Sequence, residues 1–207
     1  MGSAPNRNPT PSPARLGRRR STTKDDIANV AIDLFDTYGF SEVSVDDVAV
    51  ASGIARRTLF RYYTSKSAIP WGDFDSHLRE FSEVFAAADL TLPMATTLRT
   101  ALLDFNTFDE SEASRHRQRM RLILDTAELQ AYSMSPYAGW RDVVAAFVAK
   151  RTGTRSDDLV PQTVGWLMLG VALAAHQHWL SLGENADAQS LLTALGESFD
   201  AVAGGLP

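Results

Sequence analysis

Within eight residues, Arg56, Arg57, Thr58, Phe60, Arg61, Tyr62 and Tyr63 bring together three guanidinium groups, three hydroxyls and three aromatic rings. No acidic residue falls between Gly53 and Asp73. An arginine can donate two parallel hydrogen bonds to guanine O6 and N7, or grip a phosphate in the same way. Thr58 and Tyr62 can bond phosphate oxygens, and Phe60 can pack on a thymine methyl. The chemistry on offer is recognition of a nucleic acid. Lys66 stands at the start of the next helix, where its charge and the free helix amides can hold one phosphate together. Arg18, Arg19 and Arg20 form a basic arm ahead of the first helix, suited to lie along phosphates or enter the minor groove. The plainer alternative is a row of solvated charges beside a core. Turn spacing, helix caps, missing acids and the basic arm all favour DNA.

Other chemistries find little support. There is no cysteine, which excludes disulfides, cysteine-ligated zinc and a thiol nucleophile. Neither G-x-S-x-G nor H-E-x-x-H occurs. His176 and His178 are two apart and point to different faces of a helix, so they read as ordinary helix residues, not a metal pair. The acid pairs Asp25–Asp26, Asp46–Asp47 and Asp157–Asp158 sit at helix starts, where they complement the helix dipole. The cluster "RHRQRMR" sets Arg115 with Arg119, and Arg117 with Arg121, on adjacent helical faces. It can meet an anionic ligand such as an acyl-CoA, or it can be a solvated face paired with Asp109, Glu110 and Glu112.

The elements that must position these groups read as helices almost throughout. Ile27, Val30, Ala31, Leu34, Phe35 and Tyr38 line one face of a helix capped by Thr22 or Thr23 and closed at Gly39. In "SVDDVAVASG", Ser44 and Asp47 form a capping box and Gly53 stops the helix. A third short helix runs over residues 55–63, with Leu59 turned inward. The glycine-containing turn between the second and third helices makes a helix-turn-helix. Ser65 caps a fourth helix, but Pro70 removes a backbone donor near its fifth position and Gly72 loosens it. This helix is expected to kink or restart between Ile69 and Asp73. Further helices are predicted near 94–108, 111–131, 136–152, 157–182 and 186–203, with breaks at "DLTLP", "YSMSP", "RTGTRSD" and "LGEN". The expected class is all-α.

The chain has 207 residues, 44% of them hydrophobic, enough for one small and one larger domain. Net charge is −5, yet residues 1–23 carry five arginines and no acid. Residues 1–17 are rich in Pro, Ser, Asn and Gly and read as a disordered tail, not a signal peptide. The longest apolar run, "VGWLMLGVALAA", is short for a bilayer span and suits a buried helix, so no membrane partner is expected. The absence of cysteine suits a reducing cytoplasm.

Ser21–Ile69 resembles the amino-terminal domain of TetR-family transcriptional regulators. The match rests on "ANVAIDLFDTYGF" followed by "SVDDVAVASGIARRTLFRYYTSKSAI", about a quarter of the chain. A narrower resemblance, in "LFRYYTSKSAIPWGDFDSHL", is to regulators found beside mycofactocin biosynthesis genes, which keep I-P-W-G-D-F at this point. The resemblance implies a tail over 1–20, a three-helix DNA-binding domain over 21–67, and a helical ligand-binding and dimerisation domain over 68–207. It implies a repressor that binds palindromic double-stranded operator DNA as a homodimer and is released by a small-molecule effector. Position by position, Arg56, Arg57, Thr58, Phe60, Arg61, Tyr62 and Tyr63 fall on the recognition helix. Ser44 and Val45 fall at the phosphate-contacting start of the second helix, and Lys66 at that of the fourth.

In such a protein the fourth helix links the ligand pocket to the reading head, so the weak point at Pro70–Gly72 is either a hinge or merely a packing angle. The pocket is expected among Phe81, Phe105, Met120, Ile123, Trp140, Val144, Trp166 and Leu169, and to take an elongated apolar molecule, with acyl-CoA as one form. No cofactor or metal is expected. The last two helices would form a four-helix bundle across the dimer through Val164, Leu167, Val171, Ala174, Leu191, Leu195 and Phe199, with Gly165 and Gly170 allowing close approach. A ligand-insensitive architectural DNA binder, with a solid carboxy-terminal core, is the alternative.

Overall fold

The computed structural model describes residues 22–184 and 186–204, and the described residues contain helices and no strands. The expected basic arm, Arg18–Arg20, lies outside them. Helix α1 spans Lys24–Tyr38; Thr23 accepts from Asp26 N while the Asp26 carboxylate accepts from Thr23 N, a complete capping box. Helix α2, Val45–Ala51, begins on the same device built from Ser44 and Asp47. Helix α3 is Arg56–Tyr62. Ile27, Ala31, Phe35, Val48, Leu59 and Ile69 close the small core beneath these helices.

The expected weak point after α3 is a change of helix type. Ser65 caps a 3-10 segment, Lys66–Trp71, which contains Pro70; it ends at Gly72, and α4 restarts as Phe74–Ala87. Gly72 has φ 61° and ψ −140°, a backbone state that side chains other than hydrogen rarely adopt.

Helix α5 is Met94–Phe105, shorter than the predicted 94–108. The prediction for 111–131 and 136–152 is corrected. A short 3-10 segment, Glu110–Glu112, leads into α6, Ala113–Asp125; the break falls at extended Thr126, and α7 runs unbroken from Ala127 to Thr152. Pro136 lies inside α7 and not at its start. An interior proline costs about 3 kcal/mol, but α7 has packing on both sides of it. Leu129 is buried in the small core, whereas Trp140, Val144, Phe147 and Val148 are buried in the large one. A break at "YSMSP" would uncouple those two anchorages.

Helices α8, Leu159–Ser181, and α9, Ala188–Ala203, complete the fold and pack against each other, with α8 also against α7. By length and composition α8 could cross a bilayer, which the shorter apolar run in the sequence does not suggest. Its Met168, Leu169, Ala175 and Trp179 are buried in the large core.

Gly72 carries a prediction. A Cβ there would collide with Asp25 Oδ1, the acceptor of the Asp73 amide. Gly72→Ala therefore adds a clash to a strained backbone and is expected to lower unfolding free energy by about 1–3 kcal/mol or more, read from urea denaturation. Wild-type stability in this variant would show that the turn relaxes freely.

Candidate nucleic-acid interface and effector cavity

The reading surface begins with two packing facts. Gly53, at φ 66°, reverses the chain between α2 and α3, and Ile54 N then donates to Ala49 O at 3.0 Å. Leu59 is fully buried and fixes the roll of α3. Arg56, Arg57, Phe60 and Arg61 are left exposed, with Thr58 half-buried at the edge. Arg57, Phe60 and Arg61 are spaced i, i+3, i+4 and so share one outward face. Ser44 is exposed and Val45 half-buried at the start of α2, as the resemblance places them.

Four predicted contact residues of α3 and the segment after it are engaged within the chain. Arg56 Nη1 pairs with Asp46 Oδ2 at 2.6 Å on the surface, and its guanidinium also lies 5.5 Å from the Phe60 ring centre. The local sequence lacks acids, but α2 supplies one across the turn, which gives Asp46 a role besides complementing the helix dipole. Tyr63 is corrected. It is buried, and its hydroxyl donates to Lys24 O at 2.6 Å. Burial pushes its ionisation up, so it is a neutral donor. Tyr62 is half-buried and donates to Thr22 O at 2.9 Å. The two tyrosines tie α3 to the beginning of α1, directly after the arginine arm. Lys66 holds its ammonium 4.2 Å from the Phe40 ring centre, a cation–π placement that fixes the charge at the start of the 3-10 segment.

A cavity of about 480 Å³ lies between α4, α5, α6, α7 and α8. Of the residues named for a pocket, Phe81, Phe105, Met120, Ile123, Trp140 and Leu169 line it. Val144 and Trp166 do not: Val144 is fully buried in the adjoining core, and Trp166 is half-exposed on the outer face of α8 under the Arg141 guanidinium. Sequence reasoning missed Trp71, Phe74 and Tyr137, whose rings meet edge-on with centres 4.9 and 5.3 Å from Trp71. For Trp71 and Phe74 the signal lies in I-P-W-G-D-F, read above as a joint and a family resemblance but not as cavity lining. Burial raises the Tyr137 hydroxyl to about 12, so it too is neutral.

One side of the cavity is polar. His116 Nε2 and His176 Nε2 are 3.1 Å apart. His176 Nδ1 lies 2.8 Å from Ala172 O, which can only accept, so Nδ1 carries the hydrogen. Neutral His176 then accepts through Nε2 from His116. Burial, and for His116 also neighbouring cationic groups, pulls both rings below their ordinary range, which keeps the pair uncharged at neutral pH. Their separation in sequence hides this pairing. His178, by contrast, is exposed. No cluster of three or more metal-ligating side chains occurs among the described residues.

Three of the four α6 arginines are engaged within the chain, and one of them also borders the cavity. Arg115 donates to Asn29 O at 3.2 Å and pairs with Asp33, both on α1. Arg119, in the cavity wall, donates to Asn29 Oδ1 at 3.3 Å. Arg117 is buried, stacks 4.3 Å from the Trp179 ring centre, and donates to Gly183 O at 2.6 Å and to Ala186 O. Arg121 alone is exposed. Glu110, a predicted partner, accepts from Ala188 N.

The joint itself grips the start of α1. Lys24 Nζ bonds Asp73 Oδ1 at 2.9 Å, and Asp73 N donates to Asp25 Oδ1 at 3.2 Å. The bonds from Lys24 and then Ser76 hold the Asp73 carboxyl below its usual range. Trp71, in the cavity wall, is two residues away.

The predicted dimer residues divide. Val171, Leu191, Leu195 and Phe199 are buried in the chain's own core, because α8 and α9 turn these faces toward α5 and α7. Leu167 and Ala174 are exposed, and with Trp166, Gly170 and Ala201 they line a shallow outward groove; Val164 is half-buried. Gly165 lets α8 approach Arg141 O of α7, not a second chain, whereas Gly170 opens outward.

Comparison with known proteins agrees with this arrangement. Residues 27–69 match the bacterial regulatory protein tetR family, and residues 92–207 match the MftR C-terminal domain. The chain is 58% identical, over 95% of its length and 97% of the relative's, to a protein assigned as the mycofactocin biosynthesis transcriptional regulator MftR in Mycobacterium tuberculosis (strain ATCC 25618 / H37Rv). The fold resembles SmeT in complex with triclosan (TM-score 0.61, 15% identity, 88% of this chain and 91% of that one). It also resembles Thermus thermophilus FadR in complex with lauroyl-CoA (TM-score 0.55, 17% identity, 89% and 95%). The chain is thus a transcriptional regulator and not an enzyme: it belongs to the TetR family, in the branch that carries the MftR C-terminal domain.

Proposed function

We propose that the protein is a cytoplasmic repressor that binds a palindromic operator as a homodimer and leaves it when a small molecule fills the cavity. One observation carries the reading. Trp71 lines the cavity, while Gly72 and Asp73, its immediate successors, are packed and bonded to the start of α1. An occupant that shifts Trp71 must load the contact that orients the reading head. The aromatic lining suits an elongated apolar chain, and the polar side and mouth suit a head group. Acyl-CoA fits that description, and the FadR relative is described with lauroyl-CoA. The relative assigned to mycofactocin biosynthesis makes a gene cluster of that kind the proposed target. The cavity favours this reading over a ligand-insensitive architectural protein. The outward groove on α8 and α9 offers the surface for pairing two chains.

On DNA, Arg57, Phe60 and Arg61 read base edges, Ser44, Val45 and Lys66 meet phosphates, and Arg56 exchanges Asp46 for DNA. Arg18–Arg20 extend the contact along the backbone. Arg57→Ala and Arg61→Ala should each cost about 1–3 kcal/mol of specific operator affinity, measured by fluorescence anisotropy with DNA from upstream of the chain's own gene. Unchanged affinity in both variants would remove α3 from the interface.

The effector step is checked by adding lauroyl-CoA, decanoate and a cytosolic metabolite fraction to the preformed operator complex. At least one should dissociate it, with a matching rise in melting temperature of the free protein. Ligands that raise the melting temperature but never alter operator affinity would leave a binding protein without a switch.

A further inference from the structure

Arg119 occupies a position that the cavity alone does not explain. It lines the cavity on one side, and on the other its guanidinium donates to Asn29 Oδ1 on α1 at 3.3 Å, long for a charge-assisted bond. Its Nε is buried and has no acceptor. Trp71, which also lines the cavity, has an Nε1 that is buried without a partner, and it too can only donate. The cavity is thus bordered by donors short of acceptors. The histidine pair does not relieve this: its hydrogens go to His176 Nε2 and Ala172 O, and although His116 Nδ1 is left as an acceptor, Arg119 Nε and Trp71 Nε1 remain without partners. An unsatisfied buried donor costs about 1–3 kcal/mol, so an occupant that brings an acceptor oxygen gains what the empty cavity lacks.

Resting on the effector reading above, we infer that Arg119 is the head-group residue of the cavity, that it takes the carboxylate or carbonyl oxygen of an aliphatic effector, and that in doing so it lets go of Asn29. Arg115, one turn earlier, holds α6 to α1 through Asn29 O and Asp33. The bond that the effector breaks is therefore a secondary one, and the helices stay in contact while their relative setting changes. A competing site for a head group exists at the mouth, where Glu80 and Asp104 are exposed and would prefer a cation. Those carboxylates are screened by water. Arg119 is half-buried and its Nε is fully buried, where a charge acts at lower dielectric, and it decides the preference.

The test is isothermal titration of the full chain with decanoate, decanol and decylamine, which share one chain length and differ only in the head. Wild-type protein should bind decanoate on the order of tenfold more tightly than decanol, and decylamine most weakly. Lauroyl-CoA against methyl laurate then distinguishes a thioester carbonyl held with its CoA from a bare carbonyl. Arg119→Met should lose the decanoate preference and keep decanol binding, which also reports that the variant is folded. Asn29→Ala keeps the carbonyl that Arg115 uses. It should bind decanoate a few-fold more tightly than wild type, because the effector no longer competes for the guanidinium, with decanol unchanged. Equal binding of decanoate and decanol by wild type, a preference for decylamine, or a decanoate preference that survives in Arg119→Met would overturn the assignment of Arg119 and leave the cavity reading intact. An Asn29→Ala variant with wild-type decanoate affinity would overturn the link to α1. If none of the ligands binds, the cavity reading fails and the inference fails with it.

Discussion

The structure depends on what Pro70 and Gly72 do to the chain between the third and fourth α-helices. A continuous helix from Ser65 would carry the chain past the start of α1. The 3-10 segment and the left-handed Gly72 instead turn it so that Asp73 meets Lys24 and Asp25, while Trp71 stays in the wall of the cavity. The Lys24–Asp73 pair is about one-third exposed, so its own contribution is in the range of a surface ion pair, below about 1 kcal/mol. Its value is geometric. It fixes one end of α1, the helix against which α2 and α3 are set, to the segment that lines the cavity.

A second connection runs through α6. Arg115 and Arg119 reach α1 at Asn29 and Asp33, one to two turns beyond the first contact. The reading head is thus held near the start of α1 by the joint and near its middle by α6, and both holding elements border the same cavity. Tyr62 and Tyr63 close the loop by tying α3 back to Thr22 and Lys24. The end of α3 and the start of α1 are thus joined directly by two hydroxyl bonds, not through a long chain of packing.

Much of this was legible in the sequence where the signal is local. The capping residues Thr23, Ser44 and Ser65, the turn at Gly53 and the restart near Pro70 all follow from short-range rules, and the structure has each of them. Of the eight residues named for a pocket on the strength of the resemblance, six border the cavity. What failed was relational. Pro136 reads locally as a break, but α7 is anchored in both cores and tolerates it. Leu191, Leu195 and Phe199 were assigned to a dimer surface, although an apolar helix face cannot say whether its own chain or a second one covers it. Tyr63 looked like part of the reading surface because its burial is set by Lys24, thirty-nine residues away. The His116–His176 pair and the Asp46–Arg56 pair join elements whose closeness only the fold creates.

The central claim is that cavity and reading head communicate through the contact of Asp73 with the start of α1. The most direct measurement is amide hydrogen exchange at Asp73, whose N–H is held by Asp25 Oδ1. It should be compared in the free protein, the operator complex and the protein saturated with a cavity ligand. The account predicts slower exchange at this amide with operator bound and faster exchange with the cavity filled. An identical rate in all three states would contradict it.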